Sequence, residues 1–74
     1  KEFQIVNIDK ISSLGLEKVD AQILKEEGLI RSALKPVKIL GNGELNKKID
    51  ITATVFSKSA KQKIEDAGGT AIEL

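Results

Sequence analysis

The chain has 74 residues, 12 basic and 11 acidic for a net charge of +1, and its only aromatic residues are two phenylalanines. A chain this short makes one domain that buries only about 60% of the surface its unfolded form exposes, and two aromatic rings are too few for a platform on which single-stranded bases stack. With neither cysteine nor histidine it has no disulfide framework and lacks the commonest zinc and transition-metal ligands, and no apolar run is long enough to cross a membrane as a helix.

Phe3-Gln4-Ile5-Val6-Asn7-Ile8 is rich in β-formers and stops at Asp9, which predicts a strand. Phe3 and Ile5 alternate with Val6 and Ile8, so both faces are apolar, as suits a strand covered on two sides. Asp9 to Leu14 reads as a helical turn, capped by Asp9, with Ile11 and Leu14 on one face. Glu17-Lys18-Val19 is an extended link. Asp20 then caps a helix over Ala21–Glu27, Gly28 takes the left-handed position after its end, and Leu29 closes back on Leu24. Pro36 keeps Lys35 out of the α region, so the chain is extended as it enters a strand at Val37–Leu40.

Beyond that strand, Gly41-Asn42-Gly43 is a turn and Asn46-Lys47-Lys48 a basic link. Residues 49–56 read as one strand, with Ile49, Ile51, Ala53 and Val55 on one face and Asp50, Thr52, Thr54 and Phe56 on the other. Ser57 caps a helix from about Lys58 to Ala67 that turns Ala60, Ile64 and Ala67 inward. Gly68-Gly69 ends it before a last strand, Thr70–Leu74. Strand, thirteen-residue crossover and strand make a βαβ unit, so 49–56 and 70–74 should run parallel with a right-handed connection. The expected fold is thus one small α/β domain built on a mixed or parallel sheet. No linker, low-complexity tract or repeat divides it.

The charge is unevenly spread. Residues 35–63 carry seven lysines against Glu44 and Asp50, for +5, whereas residues 1–34 come to −1 and residues 64–74 to −3. A basic stretch attracts polyanions without reading sequence, and it reads equally well as a solvated face. Gly41 and Gly43 lack the third glycine of a dinucleotide fingerprint, since position 46 is Asn, and no Gly-Lys-Ser/Thr follows. A tight turn accounts for them, and it lets a phosphate approach the backbone. Ser57-Lys58-Ser59 is either a simple helix cap or a cap whose remaining N–H groups and dipole also bind phosphate, helped by Lys58 and Lys61. No carboxylate pair or activated nucleophile is visible, so an enzyme is not expected.

Lys38-Ile39-Leu40-Gly41, Gly43, Leu45, Ile49, Ile51, Phe56-Ser57, Ala60, Ile64 and Gly68 resemble, in order and spacing, the family of bacterial-type large-subunit ribosomal protein fifteen, whose archaeal and eukaryotic relatives include protein eighteen-e. Lys25-Glu26-Glu27-Gly28-Leu29-Ile30 is similar to the middle region of that family. The likeness covers nearly the whole chain and departs in one respect: the family's long Gly-, Lys- and Arg-rich N-terminal extension is absent. Residues 1–74 are therefore expected to be a single C-terminal globular domain of a longer protein. The resemblance implies irregular strand-strand-helix turns and a structural role in the large ribosomal subunit, with binding to large-subunit ribosomal RNA, support of subunit assembly and contact with neighbouring ribosomal proteins. The expected RNA contacts are Lys38, Gly41, Gly43, Lys47, Lys48, Ser57, Lys58, Ser59 and Lys61. No cofactor, metal, membrane or small-molecule substrate is expected, and the location is the cytoplasmic ribosome, with an organellar one left open. The alternative is a small protein-interaction domain whose lysines only solubilise it.

Overall fold

The structure is a computed structural model and describes residues 2–74. Along the chain run β1 (Gln4–Asn7), α1 (Ile8–Ser12), β2 (Lys18–Val19), α2 (Ala21–Glu26), β3 (Val37–Leu40), β4 (Asp50–Ala53), β5 (Val55–Phe56), α3 (Lys58–Asp66) and β6 (Thr70–Glu73). The strands sort into two three-stranded sheets, ordered β1-β3-β5 and β2-β4-β6, and every pairing within them is parallel. The α/β class and the parallel pairing of β4 with β6 agree with the sequence reading, but two sheets replace the single one. The expected link at Glu17–Val19 supplies β2, which pairs Lys18 with Asp50 and Val19 with Ile51.

The expected strand over 49–56 is also two strands, one in each sheet. The break falls at Thr54, whose N–H donates to the Val37 carbonyl at 3.1 Å while its Oγ1 accepts from the Val37 N–H at 3.0 Å. This pair fastens the junction to the start of β3. The chain beyond it therefore joins the first sheet, with Val55 opposite Lys38 and Phe56 opposite Ile39. The inward phase changes there too: Ile49, Ile51 and Ala53 are buried, and then Phe56, while Val55 is only half-buried.

One cluster of buried side chains joins the two sheets and the three helices, with Ile8, Ile11, Leu24, Ile39, Ile49, Ile51 and Ile64 fully enclosed. Burying each such side chain is worth about 1.5–3 kcal/mol, and this sum must hold a domain with little other support. β1 is covered on one side only: Val6 is buried, but Phe3 is 37% exposed and Ile5 51%. Gln4 fixes its start, accepting from the Arg31 and Ser32 N–H groups at 2.9 and 3.1 Å and donating to the Ser32 carbonyl at 2.8 Å.

Most helix ends obey local chemistry. Asp20 Oδ1 accepts from the Ile23 N–H at 3.0 Å at the start of α2. At its end Gly28 has φ +82°, with the Leu29 N–H bonded to the Leu24 carbonyl. Ser57 Oγ accepts from the Ala60 N–H at 3.2 Å at the start of α3, and Gly68 has φ +89° after its end. Asp9 departs from expectation. It lies inside the first turn of α1, whose flanking residue is Asn7 and which has no side-chain cap.

Candidate nucleic-acid interface

β1, β3 and β5 lie side by side and parallel, so their carboxyl ends emerge along one edge. β1 leads into α1, β3 into Gly41-Asn42-Gly43, and β5 through Ser57 into α3. The crevice beyond the carboxyl ends of parallel strands is where loops and helix starts converge on ligands in α/β sheets. Here the glycine loop is pressed against the helix start. A Cβ on Gly41 would meet Ser59 Oγ and stand 2.6 Å from the Ala60 nitrogen. Gly43, with φ +95°, lies against Asp9, where a Cβ would stand 2.8 Å from Asp9 Cγ. Only Gly43 of the two glycines takes the positive φ that the turn suggested.

The first turn of α3 has donors to spare. The Ser57 N–H goes to the Ile39 carbonyl at 2.9 Å, the Ala60 N–H to Ser57 Oγ, and the Lys61 N–H to the Ser57 carbonyl at 3.0 Å. The N–H groups of Lys58 and Ser59 have no acceptor among the described residues. These are the orphan donors of a helix start, and they coincide with its positive dipole end. The Lys58, Ser59 and Lys61 side chains are exposed around them, and Ser59 Oγ is 3.3 Å from Ser57 Oγ.

Of the nine residues expected in the interface, Gly41, Gly43, Ser57, Lys58, Ser59 and Lys61 are brought together here. Lys47 and Lys48 are not. The segment after Gly41 runs alongside α3: Gly41 touches its first turn, the Gly43 carbonyl meets Lys63, and Ile49 backs onto Gly69 just past its end. Lys47 and Lys48 thus sit near the far end of a nine-residue helix, about 13 Å away along its axis. There they line a cavity with Glu17, Lys18 and Asp50, a mixed-charge setting. Lys38 is separate again, half-buried in the middle of β3 with Ile5 and Val55 as its strand neighbours.

Two residues of this region escaped sequence reasoning. Asp9 packs on Gly43, and Lys63 Nζ donates to the Gly41 carbonyl at 2.8 Å and the Gly43 carbonyl at 2.9 Å. Nothing in the local pattern separates Lys63 from the other lysines. Carboxylates lie at the margin of this site, Asp9 against Gly43, Glu44 next along the loop and Glu73 accepting from the Phe56 N–H at 3.4 Å, while the groups at the helix start itself are backbone N–H, lysine and serine. Such a set suits an anion and offers no acid–base pair.

Residues 5–72 match the family model that describes ribosomal proteins 50S-L15 and 50S-L18e together with their 60S counterpart. That match, on a fold of two small parallel sheets, defines a ribosomal protein. The chain is 48% identical over 73 residues to the large ribosomal subunit protein uL15 of Opitutus terrae, covering 96% of this chain and 49% of the relative. It is 46% identical over 71 residues to the protein of the same name from Prochlorococcus marinus strain MIT 9312, with 95% and 47% covered. For the one from Corynebacterium aurimucosum the figures are 46% over 72 residues, with 95% and 48% covered. The chain belongs to this L15/L18e ribosomal protein family, and it spans about half the length of these relatives.

Proposed function

We propose that residues 1–74 form a C-terminal structural domain of the large ribosomal subunit that docks on large-subunit ribosomal RNA and supports subunit assembly. The observation that carries this reading is the pair of unclaimed N–H groups at Lys58 and Ser59, framed by the Lys58 and Lys61 side chains and backed by Gly41. A phosphate placed there gains charge-assisted hydrogen bonds and the helix dipole at once. Ser57 keeps the helix start in shape, and the Gly41–Gly43 loop lets a backbone approach closely. Lys47 and Lys48 supply a second contact at the other end of α3, and Lys38 a third on the sheet. The reading is one of positioning on RNA shape and phosphates, with no base readout. Family membership of the chain supports a place on the ribosome without catalytic chemistry, beside other large-subunit proteins.

The competing reading is a protein-interaction domain without nucleic-acid binding. Leu34, 97% exposed, and Ile5, 51% exposed, are the surface that favours it. Titration with a transcript of large-subunit ribosomal RNA at several salt concentrations separates the two. Phosphate docking makes log affinity fall linearly with log salt, by roughly 0.7–0.9 per phosphate neutralised. A flat salt dependence would defeat the RNA reading and leave the protein-interaction one.

A further inference from the structure

Lys63 belongs to the basic stretch by sequence, yet its ammonium is turned inward onto the Gly41 and Gly43 carbonyls, at 2.8 and 2.9 Å. We infer that Lys63 is a positioning residue of the RNA interface: it orients the amides of the glycine loop toward the phosphate and makes no phosphate contact itself. The inference rests on the docking reading above.

Peptide geometry gives the reason. No cis bond occurs among the described residues, so each carbonyl points opposite to the N–H that shares its peptide. Drawing the Gly41 and Gly43 carbonyls onto one ammonium turns the Asn42 and Glu44 N–H groups away from it. Neither of these N–H groups has an acceptor among the described residues, and residues 42–44 are all exposed. Without the ammonium, two carbonyls beside a phosphate site would present their negative ends with nothing to hold them back. A loop with Gly43 at φ +95° has other conformations open to it. Lysine suits this task because its three donors sit on one small charged group that can serve two carbonyls at once.

A direct contact and a positioning role differ in the salt slope. A lysine that neutralises a phosphate releases counterions, so its loss lowers the slope by about one unit. A lysine spent on carbonyls does not. The test is titration of Lys63→Met and Lys63→Arg with a large-subunit ribosomal RNA transcript over a range of salt, beside the Lys58→Ala, Lys61→Ala double variant. Lys63→Met should bind about tenfold more weakly, as two misplaced hydrogen bonds imply, with a wild-type slope. In Lys63→Arg the guanidinium can still bridge both carbonyls, and affinity should stay within about threefold of wild type. Lys63→Leu, a good helix former with no donor, replaces the Met variant if that one fails to fold.

A slope lowered by about one unit in the neutral variants would make Lys63 a phosphate ligand and overturn the inference. Wild-type affinity in the neutral variants, or an arginine variant as weak as they are, would overturn it too. If the Lys58, Lys61 double variant keeps the wild-type slope, the docking reading itself fails. If that variant loses slope while Lys63→Met binds normally, only the inference about Lys63 fails.

Discussion

Gly41 and Ala60 are in backbone contact: a Cβ on Gly41 would stand 2.6 Å from the Ala60 nitrogen. Besides Ser59 Oγ the obstacle is the α3 backbone itself, the Ala60 nitrogen and the Ser59 carbonyl carbon, so any side chain at position 41 must push the loop off the helix start. Gly41→Ala is therefore expected to lower stability by about 1–3 kcal/mol, the usual cost of overpacking a tight contact. At roughly 4–8 °C per kcal/mol for a domain of this size, the thermal midpoint should drop visibly. An unchanged midpoint would contradict the close approach.

Gly28 tests backbone conformation free of packing. Its φ is +82° and a Cβ there would meet nothing within 4 Å. Gly28→Val should then cost about 1–3 kcal/mol through strain alone, and Gly28→Asn much less, since Asn tolerates the left-handed region. Denaturant midpoints of the two variants give the comparison, and equal values would refute the assigned helix end.

Thr54 holds the point where the chain changes sheets. Thr54→Val keeps the shape of the side chain but removes the acceptor of the Val37 N–H, and Val37 is buried. Leaving a buried donor unpaired costs about 1–3 kcal/mol. Thr54→Ser keeps the oxygen and should lose less. If chemical denaturation finds the serine variant no more stable than the valine one, the hydroxyl does not hold the junction.

The same contrast explains what could be read in advance. The cap residues Asp20 and Ser57 and the glycines after α2 and α3 act within four or five positions, so they are legible from neighbouring residues. The division of residues 49–56 is not, because alternation continues past Thr54 and its decisive partner, Val37, is 17 residues away. Ile5 looked inward because alternation shows which residues share a face, not whether that face is covered. The interface was legible as a list but not as a map. Lys47 and Lys48 stand close in sequence to Lys58 and Lys61, yet the intervening segment spans the length of α3. Lys63 read as one more solvated charge because its carbonyl partners lie 22 and 20 residues before it.

Phosphate docking at the start of α3 is tested most directly by one comparison of salt slopes. Lys58→Ala with Lys61→Ala removes two exposed charges beside the unclaimed N–H groups, and Lys25→Ala with Arg31→Ala removes two exposed charges elsewhere. Alanine is a good helix former, so the α3 variant should fold as wild type does. Binding of the variants to large-subunit ribosomal RNA is measured against salt. The Lys58, Lys61 pair should lose affinity and up to roughly two units of slope, about one per phosphate contact, while the control pair loses clearly less. Equal losses from the two pairs would mean that only overall charge matters, and would contradict a docking site at the helix start.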